Sequence, residues 1–390
     1  MALPSRIQSI DVLRAITMFL MIFVNDVAGV ARIPEWIGHT AADVDGMGFS
    51  DVIFPAFLFI VGLSLPFAIQ ARINKGNSFL AIVWYILLRS LALIVMGFFH
   101  VNLESYNSEL TGLAKPVYTL LLTTGFFLVW LDYPKQLSNT KKYSLTALGI
   151  ILILAMAYLY KGGNAENPKG LAPHWWGILG LIGWAYLFTA FTYLITRGKM
   201  LWLLIAFLIY AIINVTTHMG LLHVNLWRIG DASSITLMMG GAVIATSYQI
   251  LAAKRKDTQL WLLLSLAGLS CIVFGFLIRS FAGGISKIYA TPAWVFICMG
   301  ITILAFQLTI YLVDVKGRKD WFKWIKPAGT STLTCYLMPY VVYAILRLVH
   351  FNYPSFLNYG AGGILRSLLF AFIVIRIVAL MEKYSIRLKV

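Results

Sequence analysis

Long apolar runs follow one another along almost the entire chain, separated by short polar or glycine-containing connections. A helix needs roughly 20 apolar residues to cross the hydrocarbon core of a bilayer. Because unpaired backbone groups are too unfavourable in lipid, and no alternating barrel pattern is present, these runs predict transmembrane helices. Twelve of them lie at residues 8–30, 51–71, 78–100, 114–131, 143–160, 175–196, 200–217, 232–253, 259–281, 292–313, 328–349 and 362–381.

The distribution of charge supports this interpretation and orients the helices. Only 12% of the residues are charged, about half the share in an average soluble protein. The net charge of +16 does not indicate nucleic-acid binding, because lysine and arginine concentrate in alternate connections, nineteen on one side and six on the other. By the positive-inside rule both termini are cytoplasmic, which requires an even number of spans. We therefore expect an all-α integral membrane protein with about 12 transmembrane helices, forming one polytopic domain over residues 1–390.

Ionisable residues inside the predicted spans need an explanation, since such groups are unfavourable in lipid and are usually functional or paired. Asp11 and Arg14 lie three residues apart on one face of the first helix, which favours a structural ion pair. Arg89 lies in the middle of the third run, where it could bind a phosphate or pair with a buried acid or with carbonyl groups. The sequence leaves these alternatives open.

The densest group of polar residues lies at the outer end of the first run and in the loop after it. Asn25 and Asp26 end the run, His39 lies in the loop, and Asp51 opens the second run. A short connector does not need so many polar groups, so His39 is a candidate catalytic residue. Asp51 is alternatively a plain helix N-cap, and Asp45 followed by glycine is typical of an ordinary turn.

Several fragments between the first run and the eleventh share the pattern of one family. They are SIDVLR at 9–14, MIFVN at 21–25, His39 leading to DVIFPAFLFIVG at 51–62, Arg89-Ser90, VDVKG at 313–317 and GTS at 329–331. At these residues the sequence resembles the heparan-α-glucosaminide N-acetyltransferase family of membrane-embedded acyltransferases, especially its bacterial members. The dense match places a catalytic segment at about 8–100, and the helices at about 143–196 are additional to a ten-helix family core.

The resemblance implies a multi-pass acyltransferase of the cytoplasmic (inner) membrane. Such an enzyme binds acetyl-CoA from the cytoplasm and passes the acetyl group to an amino sugar or glycan on the outer side. His39 would be the catalytic histidine and Asn25 its companion in the active site. A histidine is suited either to take the proton of the attacking amine or to carry the acetyl group as a nucleophile, and the sequence does not separate these routes. The family also implies a homodimer in membrane lipid, and no metal is predicted.

The other site residues are assigned by their chemistry. Asp51 is counted as catalytic with His39 and Asn25, because a carboxylate could fix the tautomer of the histidine. Asp26 is the alternative for that role and could hold the ammonium group of the sugar. The remaining candidates for substrate binding are Asp11, Arg14 and Arg89. The candidates for binding the CoA phosphates by charge complementarity are Lys75, Lys316 and Arg318.

Two other functional classes are compatible with the predicted helices. A twelve-helix secondary transporter would place polar residues midway across the membrane, and it predicts flux of a small polar or sugar substrate without CoA. The two halves of the chain show no clear repeat, which disfavours this class. A scaffold of a glycan assembly machine would instead predict that His39 is dispensable.

Overall fold

The computed structural model describes residues 8–223 and 226–390, and its secondary structure is predominantly helical. A short antiparallel ladder pairs β1 (Gly162–Gly163) with β2 (Pro168–Lys169) in one of the connections. The long helices are α1 (Gln8–Val27), α2 (Phe49–Asn74), α3 (Phe79–Asn102), α4 (Lys115–Trp130), α5 (Asn139–Leu159), α6 (Gly177–Ile195), α7 (Met200–His218), α8 (Ser233–Ala253), α9 (Asp257–Ile278), α10 (Pro292–Thr309), α11 (Thr332–Leu348) and α12 (Gly360–Lys383).

Each predicted apolar run falls on one of these helices. Among the described residues, nine helices are long and apolar enough to cross a membrane, and α11 is a shorter apolar helix. The fold class expected from the sequence, an all-α integral membrane protein, is therefore confirmed. The number of spans and the cytoplasmic termini stay predictions, and residues 1–7 lie outside the described ranges.

The eleventh predicted run is divided in the structure. A short helix, Lys326–Thr330, ends at Ser331, whose backbone is not helical (φ −123°, ψ 46°), and α11 begins at the next residue. Before this break Gly329 lies so close to α1 that an added Cβ would come within 2.5 Å of the carbonyl oxygen of Asp11. The carbonyl of Gly329 accepts a hydrogen bond from Arg14. Hydropathy cannot show such an interruption, because it depends on a contact with a distant helix.

The centre of the bundle depends on a close crossing of α2 and α8. A Cβ added at Gly62 would lie 1.9 Å from the carbonyl oxygen of Met238, and one at Gly241 would lie 2.1 Å from that of Phe59. Small residues at such crossings are typical of membrane proteins, because they let two backbones approach. α1 packs against α2 and α12, whereas α5, α7 and α9 expose much of their apolar surface. α2 and α8, whose apolar segments are mostly buried, thus form the centre of the bundle.

Candidate functional site

His39 and Asp51 form a hydrogen-bonded pair where the first loop meets the start of α2. The Nδ1 atom of His39 lies 2.7 Å from Oδ1 of Asp51. The side chain of Asp51 is 1% exposed and that of His39 is 35% exposed, so the imidazole is the member of the pair that a substrate can reach. An ionised carboxylate only accepts hydrogen bonds, so the neutral tautomer that pairs with Asp51 has its proton on Nδ1 and its lone pair on Nε2.

The carboxylate of Asp51 is itself fixed by the surrounding backbone. Its Oδ2 atom accepts hydrogen bonds from the N–H groups of Thr40 and Gly48, each at 3.0 Å. Gly48 directly precedes α2, so this second bond caps the helix. The indole N–H of Trp294 donates to the Asp51 carbonyl at 3.0 Å. The two expected roles of Asp51 are therefore compatible, because one oxygen caps the helix and the other holds the imidazole.

Lys287, in the connection between α9 and α10, is a third member of this cluster. Its Nζ atom lies 3.1 Å from Nδ1 and 3.5 Å from Nε2 of His39, and 3.7 Å from Oδ1 of Asp51. Burial lowers the pKa of Lys287, and the nearby carboxylate of Asp51 opposes the shift. Sequence reasoning missed Lys287, because 248 positions separate it from His39 and no local pattern connects them.

Asp45 joins the two connections that carry His39 and Lys287. Its Oδ1 atom accepts a hydrogen bond from the N–H of Ile285 at 2.6 Å, and its Oδ2 atom accepts one from Nε of Arg279 at 2.8 Å. The Ile285 N–H and then the Arg279 guanidinium hold the pKa of Asp45 below its usual range, although desolvation opposes them. The prediction of an ordinary turn was incomplete, because Asp45 also links the turn to a distant connection.

Asn25 and Asp26 are adjacent on α1 but have different surroundings. The side chain of Asn25 is exposed, and within residues 8–223 and 226–390 no hydrogen bond joins it to His39. Asp26 is buried and accepts a hydrogen bond from Nη2 of Arg366 at 3.0 Å. Of the two carboxylates considered as partners of His39, Asp51 makes the contact and Asp26 pairs with an arginine instead.

A cavity of about 570 Å³ lies between α1, α2, α3, α6, the start of α11 with the short helix before it, and the C-terminal segment. Its lining extends along α1 from Ile10 to Met21 and along α2 from Phe57 to Ala68, about 17 Å at the rise of an α-helix. The cavity therefore runs from the end of the bundle that holds the C-terminal segment towards the end that holds His39. Phe57 lies about 9 Å along α2 from Asp51, given the same rise per residue.

Asp11 and Arg14 line this cavity together. The Nη1 atom of Arg14 lies 3.1 Å from Oδ1 of Asp11, which confirms the expected ion pair. The guanidinium also donates to the carbonyl of Gly329 at 3.1 Å and to the hydroxyl of Ser64. Arg14 thus connects α1 to α2 and to the short helix before α11. Its side chain also lines the cavity.

Arg89 is the cation in the described cavity wall that has no Asp or Glu partner, since Arg14 pairs with Asp11 and Lys389 with Asp132. Its Nη1 atom donates to the hydroxyl of Tyr85 at 2.9 Å and to the backbone oxygen of Val390 at 3.4 Å, and its guanidinium lies 5.0 Å from the centre of the Tyr186 ring. Its buried Nε atom has no hydrogen-bond partner in the described part of the chain. Two of the alternatives considered for Arg89 therefore remain: contact with carbonyl groups and binding of an anion in the cavity. Lys389 also lines this cavity.

The three cations predicted to bind the CoA phosphates are not among the described residues that line the cavity. Lys75 follows the end of α2, and Lys316 and Arg318 follow α10; all three side chains are exposed. Their contact with CoA stays a prediction. In the same described ranges, no group of three or more His, Cys, Asp or Glu residues is placed to hold a metal ion.

Comparison with known proteins gives one family match and two partial relatives. Residues 6–227 match a family described as a domain of unknown function, DUF5009. Heparan-alpha-glucosaminide N-acetyltransferase of Homo sapiens is 34% identical over 101 residues, which are 26% of this chain and 14% of the human protein. The protein of that name in Mus musculus is 32% identical over 101 residues, 25% of this chain and 14% of its own length. The resemblance expected from the motifs is confirmed over this limited part of the relatives.

Proposed function

This chain belongs to the DUF5009 family, and we propose that it is a membrane-embedded N-acetyltransferase. It moves an acetyl group from cytoplasmic acetyl-CoA to the amino group of a glucosamine-type sugar or glycan on the outer side. The observation that carries this proposal is the hydrogen-bonded pair of His39 and Asp51 beyond the end of a basic cavity. The partial identity with proteins named heparan-alpha-glucosaminide N-acetyltransferase supports the same reaction class.

The cavity suits the donor in shape and in charge. An elongated space between helices accommodates the extended arm of acetyl-CoA, whose thioester supplies the activated acetyl group. The lining contains three basic residues, Arg14, Arg89 and Lys389, and one acid, Asp11. The unpartnered Nε of Arg89 is a buried donor without an acceptor, which a phosphate oxygen would satisfy. We assign the CoA phosphates to the end of the cavity that Arg89 and Lys389 line, and the thioester to the end near His39.

The acceptor reaction requires a base on the outer side. A sugar ammonium first loses a proton to water, and the neutral amine nitrogen then forms a bond to the acetyl carbon. As the carbon–sulfur bond breaks, the nitrogen gives its second proton to Nε2 of His39, and the CoA thiolate leaves and is protonated. Asp51 holds the ring by its Nδ1–H and stabilises the imidazolium that forms.

A covalent route uses the same geometry. Nε2 of His39 attacks the thioester, CoA leaves as the thiolate, and the acetyl-imidazole then transfers its acetyl group to the amine. In either route a negative charge develops on the carbonyl oxygen. The exposed amide of Asn25, on the last turn of α1, is proposed as the donor to that oxygen.

The test is acetyl transfer by the purified protein in detergent. Radiolabelled acetyl-CoA and glucosamine are supplied to the wild-type protein, His39→Ala and Asn25→Ala. We expect labelled N-acetylglucosamine from the wild type, a loss of at least 100-fold in His39→Ala, and a loss of about 10- to 1000-fold in Asn25→Ala. Equal elution volumes in size-exclusion chromatography control for folding.

Binding of CoA separates the two ways in which this test fails. If the wild type binds CoA but makes no product, the acceptor is wrong and other amino sugars are tried. If it neither binds CoA nor makes product, the acetyltransferase proposal is overturned. Flux of a labelled sugar into proteoliposomes without CoA would then favour the transporter.

A further inference from the structure

Lys287 touches both members of the His39–Asp51 pair, and neither route of acetyl transfer described above uses it. A single carboxylate oxygen, Oδ1 of Asp51, lies 2.7 Å from the imidazole and 3.7 Å from the ammonium. The other oxygen of Asp51 is occupied by two backbone N–H groups. The two basic side chains therefore share one acceptor atom.

The charges around Oδ1 of Asp51 favour one cation beside it and disfavour a second. The ionisable groups that face Lys287 are His39 from the first loop, Asp51 from α2 and the buried thiol of Cys298 from α10. Farther along the connection that carries Lys287, Arg279 pairs with Asp45 of the first loop, so these two charges cancel. One buried carboxylate compensates one positive charge, and a second cation beside it would be uncompensated in a poorly solvated place.

The position of Lys287 is built into the connection between α9 and α10. Two residues before it, the N–H of Ile285 donates a hydrogen bond to Asp45. Two residues after it, the carbonyl of Tyr289 lies 2.8 Å from Nε2 of His218 at the end of α7. The backbone is thus tied down on both sides of Lys287, whose side chain is 25% exposed. The fold therefore holds the backbone of Lys287 where its side chain reaches His39.

We infer that Lys287 is a positioning residue that keeps His39 neutral. Its ammonium compensates the charge of Asp51, so the imidazole does not gain a proton and Nε2 stays available. A histidine paired with an isolated carboxylate would be protonated more readily, since a nearby negative charge favours the imidazolium. The use of the neutral ring in acetyl transfer depends on the proposed function, but the protonation of His39 itself does not.

The experiment reads the protonation of His39 directly. Diethyl pyrocarbonate acylates a neutral imidazole and not a protonated one. Its rate of reaction with His39 is followed from pH 5 to pH 8 by mass spectrometry of the peptide that contains this residue. The proteins compared are the wild type, Lys287→Met, Lys287→Arg and the control Lys169→Met, which removes an exposed lysine from β2.

Loss of the positive charge of Lys287 is expected to shift the pH profile of His39 in a defined direction. In Lys287→Met no ammonium group disfavours the imidazolium form of His39. The pH at which the reaction with diethyl pyrocarbonate is half-maximal therefore rises by about one unit, and the rate near pH 5 falls about tenfold. Lys287→Arg and Lys169→Met should react like the wild type. In an active enzyme, the acid limb of the kcat/KM profile should move in parallel in Lys287→Met.

Two results would overturn the inference. One is a reaction profile of Lys287→Met that superimposes on that of the wild type, and the other is a shift to lower pH. Lys287→Gln replaces Lys287→Met if the latter is not monodisperse. Since the assay contains neither acetyl-CoA nor amine, its outcome holds even if the wild-type protein transfers no acetyl group.

Discussion

Two aspartates, one at the C-terminal end of α1 and one at the N-terminal end of α2, show how partners decide the role of a side chain. Asp51 meets a half-exposed imidazole and two backbone N–H groups. Asp26 instead accepts hydrogen bonds from Arg366, Tyr343 and Ser367, all from helices near the end of the chain. The first arrangement leaves a reactive ring beside the carboxylate, and the second neutralises and encloses it. Asp26 is therefore unsuited to binding a sugar ammonium unless this network opens.

At the same scale, Arg89 is predicted to bind the donor. Replacement by leucine removes a buried guanidinium that has no Asp or Glu partner in the described ranges, so a phosphate would lose its charge-assisted hydrogen bonds. Such bonds contribute about 1.5–3 kcal/mol, which corresponds to roughly 10- to 100-fold weaker binding. We expect the Kd for CoA of Arg89→Leu, measured by equilibrium binding of the labelled compound, to rise by this factor.

The matched control distinguishes the cavity from the surface cations. Lys75→Leu removes a charge from the exposed segment after α2, which the sequence alone made a candidate for phosphate binding. If the cavity holds the phosphates, this variant binds CoA within about twofold of the wild type, because exposed pairs contribute little. A large loss in Lys75→Leu with none in Arg89→Leu would move the phosphates out of the cavity.

The sequence was informative about site residues only where they are close together in the chain. Asn25, His39 and Asp51 form a visible cluster because they lie in one loop and in the helix ends on either side of it. The sharing of Asp51 with Lys287, and the pairing of Asp26 with Arg366, depend on chain segments that meet only after folding. No spacing rule reaches that far, so these contacts required the structure.

Among the helices, the buried ion pair fixes α1 against α12. The exposed fractions of the two side chains are 4% for Asp26 and 11% for Arg366. Removing one partner leaves the other charge buried without compensation, which costs about 3–5 kcal/mol. We therefore expect Asp26→Ala to lower the melting temperature in detergent by several degrees, measured by the loss of helical circular dichroism on heating.

A double mutant tests whether the ion pair is responsible. Combining Asp26→Ala with Arg366→Met removes both charges, so much of the lost stability should return. The exposed Asp43, changed to alanine, should melt like the wild type. Destabilisation of the double mutant by the full sum of the two single changes would show that the side chains act independently, against the arrangement described here.

The helices were the most predictable elements, since hydropathy reports how lipid or protein surrounds each segment. The break at Ser331 was not predictable in this way. It arises where Gly329 brings the chain against the carbonyl of Asp11, and where Arg14 binds a carbonyl beside the break. The break lies in a stretch of small and polar residues, Gly-Thr-Ser-Thr at 329–332, which the predicted run includes.

For the molecule as a whole, the two halves of the proposed reaction lie at opposite ends. The twenty residues of α1 span about 30 Å, the thickness of the hydrocarbon core. The cluster of His39 lies beyond one end of this helix. At the other end, the C-terminal segment lines the cavity, and Arg387 and Lys389 bind Asp132. This separation allows a donor and an acceptor on different sides of a membrane to meet one protein.

Transfer across the bilayer is the prediction that belongs to this scale. In proteoliposomes whose protein carries its C-terminus outward, selected by a protease-sensitive tag, labelled acetyl-CoA is added outside and glucosamine is enclosed within. We expect labelled N-acetylglucosamine inside the vesicles while CoA stays outside, and no product with His39→Ala. Vesicles with the opposite orientation should be inactive with the same arrangement of substrates. Product formed only when both substrates are on one side would contradict the assignment of donor and acceptor to opposite ends, and label that enters as intact acetyl-CoA would identify transport instead.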